Sequence, residues 1–167
     1  GGTIADAAGN LMVDFAVPIN LPAGIFIDGV APVLTSITSS AADGTYGQGA
    51  SIEVFLTFSE PVILSGPITL HLDSGGTVSM PGFTGLSTAS DFYNVTVPQT
   101  SPDLNVTSID LGSETIRDVA LNDTVMTLPA GNNLADNSNI VINAVAPTIQ
   151  SIISATANGT YGSGSPI

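Results

Sequence analysis

Cysteine, lysine and tryptophan are absent from this 167-residue chain, and arginine and histidine occur once each, as Arg117 and His71. Without cysteine no disulfide can staple the fold, although an extracellular chain of this size can do without one, so the compartment stays open. One arginine against 14 carboxylates leaves a formal net charge of −13, which excludes nucleic acid as a partner, because phosphates are bound through Lys and Arg. The same balance disfavours anionic membrane surfaces. No apolar run reaches the ~18 residues that a membrane helix needs, so no membrane insertion is expected. No signal peptide is visible at Gly1, and a chain opening inside a repeat would show none. A single imidazole leaves little for Ser-His-Asp or metal-hydrolase chemistry. His71 alternates outward on its expected strand, as a solvated surface residue does. Aromatics at 5%, with no tryptophan, supply few platforms for sugar stacking.

What is present points to a folded chain rich in strands. Hydrophobic residues make up 43% and charged ones 9%, with 18 Gly and 11 Pro, too apolar for a disordered chain and long enough for one sizeable core. The acids carry a second message. Carboxylates without basic companions must stay solvated, take up a proton or hold a cation wherever they converge, and a hard oxygen-seeking ion such as Ca²⁺ suits them.

Part of the chain occurs twice. APVLTSITSSAADGTYGQGASI (residues 31–52) and APTIQSIISATANGTYGSGSPI (residues 146–167) are identical at 12 of 22 positions at a shift of 115. GTIADAAGN (residues 2–10) recurs as ETIRDVALN (residues 114–122) at a shift of 112. Such echoes mark tandem repeats seen out of register. The expected units are 1–30, the closing part of one repeat; 31–145, a complete repeat; and 146–167, the opening strands of a third.

Within the complete repeat, Val33 to Thr38 reads as a strand and Ala42 to Gly49 as a turn with Asp43 at its corner. Ile52, Val54, Leu56 and Phe58 alternate with polar residues as a half-buried strand. Ser59-Glu60-Pro61 is expected to break it. Strands follow at 68–72 and 77–80, then a Gly/Ser/Thr loop at 81–90. Tyr93, Val95 and Val97 read as the inner face of the next strand, with further strands at 104–110, 115–117, 124–128 and 139–143. Before the repeat, 11–19 and 24–30 read as short strands. Seven to nine strands with turns between them and no helical period longer than a turn predict an all-β, immunoglobulin-like β-sandwich.

FSEPV (residues 58–62) and DAAGN (residues 6–10), together with the internal echo, resemble the bacterial Ig-like tandem repeats of large surface adhesins. The resemblance implies a rod of domains at the cell surface, extracellular, non-enzymatic and often stiffened by Ca²⁺. One departure stands out: Leu121 occupies the place of Gly9, so the loop at 118–122 is expected to differ in shape from its counterpart.

If strands run alternately up and down, the end of the 51–58 strand and the 118–122 loop return to the end where the chain comes in, where Asp28 also lies. Asp28, Glu60 and Asp118, helped by Asn122 and backbone carbonyls, are therefore the candidate Ca²⁺ ligands, since such a set can fill a shell of ~6–8 oxygens. The bland alternative is that all four are ordinary turn residues. Asp28 becomes Asn143 at the next junction, which should bind metal more weakly. The function expected is mechanical: a stalk or filament segment whose partners are neighbouring repeats, or other copies of the chain joined by strand addition. The alternative is a β-sandwich module that binds carbohydrate or protein through loops at one end.

Overall fold

The structure, a computed structural model, describes Ala5 and residues 7–10 and 27–164. The strand expected at 11–19, and residues 24–26 of that expected at 24–30, lie outside these residues; 27–30 are described and are not strand. The described residues are mostly strand: ten strands and a single helical turn. They are β1 (Leu34–Ser39), β2 (Gly44–Tyr46), β3 (Ser51–Leu64), β4 (Ile68–Leu72), β5 (Thr77–Met80), β6 (Phe83–Asn94), β7 (Thr100–Ser101), β8 (Val106–Asp110), β9 (Ile116–Arg117), α1 (Leu134–Asn137) and β10 (Ile140–Asn143).

They form three sheets. One is ordered β1-β3-β6 with β9 beside β3, the second β2-β10-β7, and the third β5-β4-β8. None closes into a barrel. All pairings are antiparallel except β2 with β10, which run parallel.

The period-two pattern of β3 explains why it is the spine. Ile52, Val54 and Leu56 are fully buried and Phe58 nearly so, and the alternation resumes at Val62 and Leu64. Facing strands contribute Leu34, Ile37, Ile68, Leu70, Val78, Met80, Tyr93, Ile140 and Ile142 to the same cluster. Among the described residues, the 23 buried apolar side chains of this core lie between Leu34 and Ala144. Deep in this core the Tyr93 hydroxyl meets Ser74 Oγ at 2.9 Å and donates to Gln99 Oε1 at 2.8 Å. The ring leaves no room beside Gly76, where a Cβ would stand 2.4 Å from Tyr93 Cε2.

Several expectations are corrected. Ser59-Glu60-Pro61 does not end the strand, because β3 runs on to Leu64. The register to β6 slips between Thr57↔Thr88 and Val62↔Leu86, so Pro61, which lacks an N–H, sits in a bulge where no ladder bond is asked of it. The loop expected at 81–90 is instead most of β6, since long-range pairing to β3 overrides the weak local propensity of Gly, Ser and Thr. Val97 is not inward but 50% exposed, because β6 ends at Asn94 and the chain turns through Thr96–Gln99. At 124–128 only isolated bridging occurs, Val33 to Val125. The one helical turn is fixed by a capping box between Asn133 and Asp136.

Pairing also fixes the two ends. The chain comes in at Val33, whose carbonyl accepts from Ser59 N at 2.9 Å, and β1 runs antiparallel to β3 from Leu34↔Phe58 to Ser39↔Val54. It leaves at the other end, where Ala144 N donates to Gln99 O and Gly49 N to Val95 O, beside the Ser51↔Asn94 pair. Ser51 and Ser59 are separated by eight residues of β3, about 27 Å at ~3.4 Å per residue. The proximal end, where the chain arrives, and the distal end, where it departs, are thus opposite poles.

Candidate metal centre at the proximal end

Three separate parts of the chain deliver carboxylates to the proximal end. Glu60 comes from the bulge of β3, Asp118 from the loop after β9 and Asp28 from the segment leading into Val33. One carboxylate oxygen of each lies within 4.8 Å of the others, and this is the group among the described residues that could hold a metal ion. The spacing fits the chemistry. Oxygens bound at a Ca²⁺–O distance of about 2.4 Å can stand at most about 4.8 Å apart across the ion.

Asp118 is the organising member. It is 1% exposed, and its carboxylate accepts from Asn122 N at 2.8 Å and Asn122 Nδ2 at 2.7 Å. Asp118 N donates to Asn122 O and Leu121 N to Asp118 O, both at 3.2 Å, closing the loop on itself. Burial alone would push the Asp118 carboxyl up. The hydrogen bonds from Asn122, with those from the Ala120 and Leu121 backbone, outweigh it and hold the group below the usual carboxylate range. Asp28 is exposed and turns back on its own backbone, Oδ1 accepting from Val30 N at 3.0 Å. Glu60, half-buried, is pushed above its ordinary value by burial and then by the negative charges of Asp28 and Asp118. Arg117, next in sequence to Asp118, instead binds Asp123 at 2.5 Å. A partly buried acid that resists ionisation, first through burial and then through two neighbouring negative charges, is what a bound cation relieves.

Asn122 enters differently from the expectation. Its amide nitrogen, rather than its oxygen, faces the cluster, donating to Asp118 Oδ2, to Asp28 O at 3.2 Å and to Val30 O at 3.4 Å. It acts as a clamp from the loop onto the incoming segment, joining the Asp118 carboxylate to the backbone carbonyls of Asp28 and Val30. The loop shape is corrected too. Leu121 adopts φ 70°, and its counterpart Gly9 φ 87°. Leucine is thus held in the left-handed region, at about 1–2 kcal/mol for an L-residue, because the hydrogen bonds around Asp118 demand that turn. Sequence reasoning missed this clamp, for which the only signal was that an Asn closes both loop copies.

The remaining candidates stay apart from the centre. His71 is exposed on β4. Asp43 accepts from Asn139 N at 2.9 Å and so ties the turn before β2 to the start of β10. Phe55 is half-buried. Tyr46 and Tyr161 make the same local bond, each hydroxyl donating to the carbonyl four residues earlier, Ala42 O and Ala157 O. The tyrosine bond is thus common to both copies, although residues 44–46 of the expected turn are strand β2 in the first and their counterparts form no strand in the second. No family model, curated protein or solved structure matches the chain.

Proposed function

We propose that the chain is a structural, non-enzymatic segment of a rod of immunoglobulin-like sandwich repeats, serving as the stalk of an extracellular surface adhesin, with Ca²⁺ bound between successive repeats. The observation that carries this reading is polar geometry. Residues 31–145 take in the chain at one pole and release it at the other, so repeats of this kind in series would extend rather than fold back. The acidic cluster strengthens it, because Asp28 belongs to the connection between repeats while Glu60 and Asp118 belong to the repeat that follows. Bridging the three would lock the connection to the domain.

The opening of the third repeat agrees with the tandem reading. Ile149 and Ile152 are 82% and 89% exposed, whereas Leu34 and Ile37, their counterparts 115 residues earlier, are 5% and 0% exposed. That segment carries the apolar pattern of β1 but forms no strand. The proposal is tested by calorimetric Ca²⁺ titration of the intact chain. One site per chain is expected, abolished or weakened in Asp28→Asn and Asp118→Asn. Absence of binding at millimolar Ca²⁺ would remove calcium from the reading.

A further inference from the structure

We infer that Val119 and Leu121 form a seat for the distal end of the preceding repeat, so that this junction is an apolar contact as well as a cation bridge. The inference rests on the tandem-repeat reading and names the surface by which neighbours touch.

The argument starts from chain length. At the 115-residue shift, residues 25–28 (IFID) correspond to Ile140–Asn143 (IVIN), which is β10, the last strand of the complete repeat. Ile27 therefore stands where Ile142 does, yet it is 95% exposed and Ile142 only 2%. By this correspondence Ile27 would pack into the core of the repeat before, and Asp28 lies at the place of Asn143, which ends β10. Between Asp28 and Pro32, whose carbonyl accepts from Val125 N at 2.8 Å, lie only Gly29, Val30 and Ala31. Four steps along the chain, from Asp28 to Pro32, reach at most about 14 Å. The neighbour's distal end must then lie against this face.

What the face presents is apolar. Val119 is 85% exposed and Leu121 70%, in the loop whose ends, Asp118 and Asn122, hold the cluster and clamp the incoming segment. The matching positions of the earlier loop are Ala7 and Gly9, so the bulk is particular to this junction and is kept at Leu121 despite an unfavourable φ. The distal end offers the complement. Val97 is 50% and Val145 56% exposed there, and a preceding repeat of this fold would bring its own turn at the place of Val97 onto Val119 and Leu121. Such a contact is head-to-tail and propagates along a series.

The test joins two copies of residues 31–145 directly, with Asn143→Asp in the first, which recreates the order Asp-x-Val-Ala-Pro at the join. Each copy carries the whole of the buried apolar cluster. Rotational correlation times are read by ¹⁵N relaxation, with Ca²⁺ and with chelator. In Ca²⁺ the pair is expected to tumble as one body, and Val119→Ser/Leu121→Ser in the second copy to cut the correlation time by about half, toward that of one repeat. Ca²⁺ affinity should hold, since neither side chain is a ligand. The same substitutions in a single repeat should leave its melting temperature unchanged; a lower one would show that they face their own domain and overturn the seat. Independent tumbling of the unsubstituted pair with Ca²⁺ bound, or tumbling unaffected by the substitutions, overturns the seat and leaves the cation reading standing. Joint tumbling that survives chelation but is lost on substitution supports the seat and removes calcium from the junction.

Discussion

Glu60→Gln should move stability in opposite directions depending on whether Ca²⁺ is present. Without a cation, Glu60 carries the strain of the cluster, pushed upward by burial and by Asp28 and Asp118. Gln keeps the shape and removes the repulsion, so the chelated protein should melt higher than the parent at neutral pH. With Ca²⁺ the same charge is an asset. For a site of Kd near 10 µM, within the ~10⁻⁷–10⁻³ M span of protein Ca²⁺ sites, 1 mM Ca²⁺ is a hundredfold excess and adds about 2.7 kcal/mol. For a chain of this size that is a rise of ~5–10 °C in melting temperature. Losing one of three carboxylates should weaken binding about tenfold and halve that rise. The assay is calorimetric melting of parent and variant, each with chelator and with Ca²⁺. Parallel curves, with the variant lower or higher under both conditions, would refute the idea that the three acids share one cation.

Asp118 and Glu60 carry opposite pH signatures. Asp118, held low, contributes stability that is complete above the ordinary carboxylate range and is lost as pH falls through its lowered value. Glu60, held high, opposes folding only once ionised, so its penalty is absent in acid and grows as pH rises through the ordinary glutamate range to its raised value. Acid unfolding of Asp118→Asn should accordingly show a shallower loss at the lowest pH, read by circular dichroism in chelator. Gly76→Ala should destabilise by about 1–3 kcal/mol in urea, since the added methyl would strike the Tyr93 ring and Gln99; an unchanged midpoint would show the packing there to be slack. Leu121→Gly should stabilise the chain by up to about 1 kcal/mol, read as a higher urea midpoint, as relief of the left-handed strain exceeds the added chain entropy.

How much of this was legible in the sequence depends on the range of the interaction. The alternation in Ser51–Phe58 and in Ile68–Leu72 was readable, because period two is a local property and these faces are buried as it implies. The convergence of Asp28, Glu60 and Asp118 followed from counting strand directions, which needs only that neighbours run antiparallel. What escaped was long-range or geometric. Residues 83–90 look like a loop because Gly and Ser carry no strand signal of their own, and pairing with β3 makes them strand. Pro61 looked terminal because a bulge, which excuses its missing N–H, leaves no mark in composition. Leu121 hid the equivalence of two loops, since leucine in the place of glycine argues for a different turn until the hydrogen bonds to Asp118 and Asn122 are seen. Asn122 was recognisable as part of the site, but which end of its amide faces inward is set by three acceptors that meet only in the fold.

The central claim is that a cation ties the connection between repeats to the domain that follows, and the mobility of Gly29 and Val30 reports on it most directly. In the ¹⁵N-labelled intact chain, heteronuclear NOE values at these two residues should be low with chelator and rise to those of β3 when Ca²⁺ is added. Values that stay low at saturating Ca²⁺ would contradict the account.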